Sequence, residues 1–81
     1  MAARHPSIRD LFGTRIRVLR DRVGLTQEKL AFRAGMDRSY IGQVERGEVN
    51  VSIDNIAKIA KGLRVQPAKL FEFADVGVDG R

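Results

Sequence analysis

The chain has 81 residues with no cysteine, a single histidine and a formal net charge of +5. A chain of this length forms one small domain, and the lack of cysteine excludes disulfides and thiolate metal sites. The isolated His5 cannot build a metal site, so we expect no metal and no cofactor. No apolar run approaches the roughly 20 residues of a membrane span, and the N-terminus lacks the apolar stretch of a signal peptide. These features predict a cytoplasmic protein without a membrane partner.

The positive charge is concentrated in the first half of the sequence. Residues 1–46 carry ten basic and five acidic side chains, whereas residues 47–81 carry five of each. A basic half favours a polyanionic partner, because binding releases counterions from that partner. Arg-rich helices that only keep a protein in solution would give the same charge, so the charge alone does not decide for nucleic acid.

Apolar residues recur at spacings of three and four along most of the chain, which is typical of helices with one buried face. The pattern predicts an all-α, compact five-helix bundle over residues 7–73, with a flexible arm at 1–6 and a flexible tail at 74–81. The predicted helices, with their start signals, are about 8–23 after Ser7, a second from Thr26 to Gly35, about 38–46 after Asp37, a fourth after Ser52 and a short fifth opened by Pro67.

Residues 26–47 predict two short helices joined by a tight turn. Gly35 can adopt the positive φ that the turn requires, and Ala31 is small enough to let the two helices approach closely. Ile41 and Val44 would point to the core and so fix which face of the second helix is exposed. This is the pattern of a helix-turn-helix, in which one helix supports another in the DNA major groove. The alternative is an ordinary helical hairpin with a polar exterior.

The exposed face of the second helix carries polar side chains suited to reading bases. Subtraction of the core positions leaves Arg38, Ser39, Gly42, Gln43 and Arg46 on this face, with Tyr40 at its edge. Arg can bond guanine O6 and N7 with two N–H groups, and Gln can do the same for adenine. A glycine at position 42 would let the helix lie closer to the groove.

The stretch resembles the lambda-repressor-like helix-turn-helix of phage repressors and Cro proteins, the XRE-like family. The matching residues are Thr26-Gln27, Leu30-Ala31, Ala34-Gly35, Ile41, Val44-Glu45, Gly47, Asn50-Val51-Ser52, Ile56 to Ala60 and Leu70-Phe71. Within the family, the run from Asp37 to Ile41 followed by Glu45-Arg46 and Asn50 is similar to restriction–modification controller proteins. Val49 departs from that pattern, because some controllers carry a basic residue there.

The resemblance implies a role in DNA binding for seven residues. Base reading falls to Arg38, Ser39 and Gln43. Contacts with the DNA backbone or a base edge fall to Gln27, Tyr40, Arg46 and Asn50, of which Arg46 and Asn50 would hold phosphate beyond the helix. Glu45 is expected to pair with a neighbouring Arg rather than to read a cytosine.

Each of these roles has a structural alternative. Arg38 could pair with Asp37 or Asp21 at the surface, and Tyr40 could pack over the second helix. Asn50 could be a turn residue that bonds its own backbone. Gln27 could be an ordinary solvated residue at a helix N-terminus.

A single reading helix makes few base contacts, and such modules usually pair on DNA. The apolar residues of the last third predict a two-fold homodimer formed by the fifth helix and the adjoining end of the fourth. These residues are Leu63, Val65, Leu70, Phe71 and Phe73. The alternative is that Leu63, Leu70 and Phe71 complete the core of the monomer and leave only Phe73 exposed.

Catalysis is not expected, because the chain has no nucleophile–base set, no phosphate-binding glycine loop and no paired carboxylates in a cleft. RNA reading would require stacking aromatics on a sheet, which the pattern lacks. We therefore predict a sequence-specific, double-stranded DNA-binding regulator of transcription that acts as a homodimer on an inverted-repeat operator. We expect autoregulation, contact with RNA polymerase at some sites and no small-molecule substrate. The alternative is a protein-interaction module of the antitoxin type.

Overall fold

The computed structural model describes residues 6–74, which form four α-helices followed by one 3₁₀ helix. The helices are α1 (Ile8–Arg22), α2 (Gln27–Ala34), α3 (Arg38–Glu45) and α4 (Ile53–Leu63), and the 3₁₀ helix is Pro67–Phe71. The predicted all-α class is confirmed, and these residues contain no strand. Apart from Pro6 and Ala74, the predicted arm and tail lie outside the described residues, as does His5.

The starts and ends of the first two helices follow from local hydrogen bonds. Ser7 Oγ accepts from the Asp10 backbone N–H at 3.1 Å, and Asp10 Oδ2 accepts from the Ser7 N–H at 3.2 Å. This reciprocal pair is a full capping box. Thr26 Oγ1 accepts from the Lys29 N–H at 3.1 Å without a reciprocal bond, as predicted from the lysine at that position. Gly35, at φ +68°, ends α2.

The core lies where α1 and α4 pack against the helix pair α2–α3. Each element contributes one apolar residue that is 0% exposed, namely Ile16, Leu30, Ile41, Ile59 and Leu70. Helix α1 passes close to the end of α3 at Gly13, where a Cβ atom would overlap the carbonyl oxygens of Val44 and Glu45. This close approach fixes the C-terminal end of α3 relative to α1. Among residues 6–74, no helix is long and apolar enough to cross a membrane.

The predicted count of five α-helices is wrong, because the last element is a five-residue 3₁₀ helix. The segment is held by i→i+3 bonds, from the Lys69 N–H to the Gln66 carbonyl at 2.9 Å and from the Glu72 N–H to the Lys69 carbonyl at 3.4 Å. Arg15 Nε also donates to the Lys69 carbonyl, at 3.0 Å, and so joins the segment to α1.

Two further residues, Arg15 in α1 and Gly62 in α4, are buried. Arg15 is 2% exposed. The residue that ends α4 in the left-handed conformation is Arg64, at φ +60°. A Cβ atom at Gly62 would lie 3.0 Å from Leu30 and 3.3 Å from Ala34. The glycine therefore lets α4 approach α2 closely.

Candidate nucleic-acid interface

The turn between α2 and α3 has the geometry that the sequence predicted. Gly35 is left-handed, its N–H donates to the Phe32 carbonyl, and the Met36 N–H donates to the Ala31 carbonyl at 2.9 Å. This pattern ends a helix sharply, and α3 begins only three residues after Gly35. Ala31 is 3% exposed, consistent with close packing of the two helices.

Helix α3 has one buried side and one exposed side. Ile41 and Val44 are at most 1% exposed. The opposite side, here called the reading face, consists of Arg38, Ser39 and Gln43, all of them exposed. Within residues 6–74 these three side chains make no hydrogen bond or ion pair. Their donors and acceptors therefore remain available to a ligand such as a base edge.

A buried cluster of charged and polar groups holds α3 against α1. Arg20 donates from Nε and Nη2 to the two Glu45 carboxylate oxygens at 2.7 and 3.0 Å, and from Nη1 to the Leu25 carbonyl at 2.8 Å. The Glu45 and Arg20 side chains are 3% and 13% exposed. The hydrogen bonds to Glu45 raise the pKa of Arg20, against a smaller lowering by burial. The expected pairing of Glu45 with a neighbouring Arg is thus confirmed, and the partner is Arg20.

Gln27 joins this cluster from the first position of α2. Its Nε2 donates to Glu45 Oε1 at 3.0 Å, and the side chain is half-buried. One amide N–H is therefore occupied and fixes the orientation of the side chain. The second amide N–H and the backbone N–H of this helix start have no intrahelical acceptor. The predicted alternative of a plainly solvated Gln27 is wrong, because Glu45 holds the side chain in place.

Tyr40 connects α3 with α4. Its hydroxyl oxygen accepts from Asn55 Nδ2 at 3.1 Å, and its ring lies half-buried against the core. A phenol can donate one hydrogen bond while it accepts another. The bond from Asn55 therefore leaves the Tyr40 proton for an outside acceptor and restricts the position of the hydroxyl at the edge of the reading face.

Arg46 is the residue that caps the C-terminal end of α3, and its side chain folds back over Gly42. Gly42 is buried, and the three heavy atoms closest to a Cβ built there all belong to the Arg46 guanidinium. The predicted open position at Gly42 is therefore wrong, since Arg46 covers it. Arg46 also donates to Glu48, from Nε at 2.8 Å and from Nη2 at 3.2 Å. Asn50 is exposed in the loop that follows.

Residues 16–70 of the chain match the family described as Helix-turn-helix. The chain belongs to the helix-turn-helix family of DNA-binding transcriptional regulators. It is 49% identical over 72 residues to control protein C.BamHI of Bacillus amyloliquefaciens, a match that spans 88% of this chain and 89% of the relative. This confirms the predicted membership and the likeness to controller proteins.

Solved structures of two bacterial regulatory proteins share the fold. The restriction–modification controller protein C.AhdI from Aeromonas hydrophila is 54% identical with a TM-score of 0.77, covering 78% of this chain and 96% of that chain. The clp gene regulator ClgR from Corynebacterium glutamicum is 25% identical with a TM-score of 0.84, covering 94% of this chain and 81% of that chain. The family resemblance therefore extends over most of the described residues.

The residues predicted for dimerisation of this helix-turn-helix protein divide into two groups. Leu63 and Leu70 are 3% and 0% exposed, so they serve the core of the chain and offer almost no surface to a partner. The prediction that Leu63 and Leu70 belong to the dimer interface is therefore wrong, because both side chains are buried in the core of the chain. Val65 and Phe73 are half-buried, and Phe71 is 43% exposed. These three keep apolar surface.

The sequence did not predict an apolar groove next to Phe71. A groove of about 90 Å³ runs beside Phe71 between the start of α1 and the loop before α4, with Ile8, Phe12, Val49, Val51 and Ile56 among its lining residues. Ile8 is 59% exposed, and Ile53 at the start of α4 is 79% exposed. An exposed apolar surface of this kind is a candidate for protein contact.

Sequence reasoning missed three residues that position the interface: Arg20, Glu48 and Asn55. Arg20 looks like any other arginine of α1, and only the packing of α3 brings Glu45 to it. Asn55 carries no signal beyond its place in the first turn of α4. Glu48 lies two residues after Arg46, and this short spacing between opposite charges indicates a pair. Among residues 6–74, no group of His, Asp and Glu could hold a metal ion.

Proposed function

We propose that the chain is a homodimeric regulator that places α3 in the major groove of an inverted-repeat operator. The observation that carries this proposal is the reading face. Arg38, Ser39 and Gln43 are exposed together on one side of α3 and have no partner within residues 6–74. Three unpaired polar side chains on a helix whose other side is locked into a core suit recognition of base edges.

The side chains of the reading face match the chemistry of different bases. Arg38 at the start of α3 can donate two hydrogen bonds to O6 and N7 of guanine, and Gln43 can bond adenine through N6 and N7. Ser39 can donate to or accept from either kind of base edge. Reading at three positions on each protomer would supply the specificity of a half-site.

The residues beside the reading face suit contacts with the phosphate backbone. The backbone N–H of Gln27 lies at a helix N-terminus, which favours a bound anion, and its side chain has a second N–H to donate. The Tyr40 O–H can donate to a phosphate, because its oxygen is the acceptor of the bond from Asn55. Asn50 lies exposed in the loop after α3. These groups would fix the register of the protein on the duplex.

The second copy of the chain would pack on the apolar surface around Phe71. This surface combines the predicted Val65, Phe71 and Phe73 with the groove and the exposed Ile53. A two-fold axis here would leave the reading face of each protomer free. Two reading helices about one helical turn apart, roughly 10 base pairs between half-site centres, are the usual arrangement for this motif.

The regulator would act by occupancy of its operator and not by catalysis. A dimer over the core of a promoter would block RNA polymerase, whereas a dimer just upstream would assist it through direct contact. The relatives of the chain include the control protein C.BamHI and the restriction–modification controller protein C.AhdI. By analogy, we infer that this protein controls its own gene and neighbouring genes of such a system, with its own concentration as the signal.

The test is selection of random-sequence duplexes by the purified full-length protein at physiological salt, followed by sequencing. We expect enrichment of an inverted repeat with half-sites about one helical turn apart. Retention of DNA that is sensitive to salt but without sequence enrichment would contradict the proposal. That result would favour a protein-interaction module whose basic half only contacts phosphate.

The dimer surface has its own test, with a matched control. Phe71→Ser and Ile53→Asp should each make the protein monomeric at tens of micromolar in sedimentation equilibrium. Phe32 is 85% exposed on α2, outside the proposed surface, so Phe32→Ser should leave the dimer intact. Thermal unfolding checks that each variant is folded. Dimers in all three variants, or a monomeric wild type, would contradict this part of the proposal.

A further inference from the structure

The middle of α3 carries a glycine that another side chain of the same helix covers. A Cβ atom at Gly42 would lie 3.0 Å from Arg46 Nη1 and 3.8 Å from both Cζ and Nη2. Gly42 has an ordinary helical backbone, so no positive φ requires glycine here. What glycine provides is space, and the Arg46 guanidinium fills that space. The guanidinium of Arg46 thus lies one turn earlier on α3, over Gly42.

Glu48 determines which edge of the Arg46 guanidinium is available. Glu48 Oε2 accepts from Nε at 2.8 Å and Oε1 accepts from Nη2 at 3.2 Å, which occupies the Nε–Nη2 edge. The Nη1–Nη2 edge keeps one N–H on each nitrogen, and Glu48 is the only acceptor for Arg46 among residues 6–74. This free edge is a fork of two parallel donors, the geometry that bonds guanine O6 and N7.

We propose that Arg46 is a fourth base-reading residue, placed on the reading face by the gap at Gly42 and oriented by Glu48. This inference rests on the proposed function and deepens it, because the family resemblance assigned Arg46 to phosphate. The base that Arg46 contacts is a guanine in the half-site, because its free edge offers two parallel donors. Gly42 and Glu48 are positioning residues that act through Arg46.

The charges at this position support reading over phosphate binding. Arg46 and Glu48 are 60% and 50% exposed, so the carboxylate faces the same solvent that DNA would displace. A phosphate held by Arg46 would lie beside this carboxylate and be repelled by it, whereas a guanine edge carries no net charge. The hydrogen bonds between the two side chains also raise the pKa of Arg46 and lower the pKa of Glu48, so both groups are charged at neutral pH.

The first experiment measures binding of the full-length protein to its selected operator and to operators with each base pair changed in turn. Arg46→Lys keeps the charge but removes the fork. We expect preference at one G·C pair to fall about tenfold, with affinity for non-operator DNA unchanged. Arg17→Lys, at an exposed position on α1, is the matched control and should change neither. Full base preference in Arg46→Lys would overturn the proposal and leave Arg46 as a phosphate contact.

Gly42→Ala tests the gap directly. Alanine favours the helix over glycine, so the melting temperature should rise while preference at the same base pair falls. The double variant Gly42→Ala, Arg46→Lys should lose no more preference than Arg46→Lys alone, because both changes act on one contact. Unchanged preference in Gly42→Ala, or a loss that adds fully to that of Arg46→Lys, would overturn the positioning role.

Glu48→Gln tests the orientation of the fork. We expect weaker preference at the same base pair together with tighter binding to all DNA, because a negative charge is removed. Asp54→Asn removes one charge elsewhere and should not alter preference. If Glu48→Gln leaves preference intact, Glu48 does not orient Arg46. The proposed function fails separately, when the wild-type protein enriches no inverted repeat at all.

Discussion

Glu45 and Arg46 are neighbours in the sequence, and each forms a two-bond pair with a residue of opposite charge, yet the two pairs lie in different environments. The Arg20–Glu45 pair is buried, with Glu45 only 3% exposed, and it joins α1 to the end of α3. The Arg46–Glu48 pair is at least half exposed and joins residues two apart in the chain. The same chemistry therefore serves the fold in one place and remains available to a ligand in the other.

The difference follows from the helical position of each residue. Glu45 comes one residue after the buried Val44 and faces α1, where Gly13 brings the helices into close contact. Arg46 caps the C-terminal end of α3, and its side chain lies over Gly42 while 60% exposed. A buried ion pair is costly to break, because one charge is left without a partner, whereas an exposed pair contributes little to stability. The following experiments use this contrast, in order of expected effect.

The largest effect is expected from removal of one member of the buried pair. Glu45→Ala leaves Arg20 with only the Leu25 carbonyl and a 3.6 Å contact to Asp21. We expect a loss of about 3–5 kcal/mol in the free energy of unfolding, measured by urea denaturation. The net free energy of unfolding of a domain of this size is only a few kcal/mol. The variant should therefore be partly unfolded at 37 °C.

The double variant Arg20→Met, Glu45→Leu is the control for the buried pair. It removes both charges and should recover most of the stability, because no orphan charge remains. It also removes the acceptor of Gln27, so DNA affinity should stay lowered even though the domain is folded. A double variant as unstable as Glu45→Ala would contradict the idea that the unpaired charge is the main cost.

Arg38 differs from Arg20 and Arg46, because it has no partner within the described residues. Arg38→Ala should cost about 1–3 kcal/mol in operator affinity and flatten preference at one base pair. The melting temperature should not change, since the side chain is exposed and makes no contact that the fold requires. Affinity that falls equally on every sequence would mean that Arg38 contacts only phosphate.

Gln27 connects the buried pair with the DNA. Gln27→Ala should weaken binding to all sites alike by about 1 kcal/mol, the worth of one hydrogen bond. Because Glu45 keeps both of its bonds from Arg20, the stability of the fold should fall less than in Glu45→Ala. A changed base preference in this variant would overturn its assignment to phosphate.

The part of the fold that the sequence predicted is the part governed by short-range contacts. Ser7, Thr26 and Gly35 act through bonds to residues three or four positions away, and all three behave as predicted. The sequence did not predict the bond from Arg15 to the Lys69 carbonyl, which joins residues 54 positions apart. No local pattern contains that bond.

The reading face shows the same limit at the level of side chains. The period of α3 predicted that Arg38, Ser39 and Gln43 are exposed, and they are. The helical repeat also predicted that Gly42 is exposed to solvent. A helical repeat gives the direction of each Cβ atom, but it does not show where a long side chain such as Arg46 lies. Arg46 covers Gly42 because Glu48 and the gap at position 42 select that conformation.

The smallest effect on the stability of the fold is expected at the exposed Arg46–Glu48 pair. This pair depends on pH through the Glu48 carboxylate. Hydrogen bonds from Arg46 lower the pKa of Glu48 below its ordinary value of 4.5, so the pair is fully formed above that pH. It is lost as the pH falls through the lowered pKa, when Glu48 takes up a proton. NMR titration of the Glu48 carboxyl carbon should give the lowered pKa in the wild type and the ordinary pKa in Arg46→Ala.

The melting temperature at neutral pH should be the same in the wild type and in Arg46→Ala, because solvent screens the pair. A clear loss of stability in Arg46→Ala would mean that this pair, like Arg20–Glu45, holds the fold, and the contrast between the two pairs would disappear.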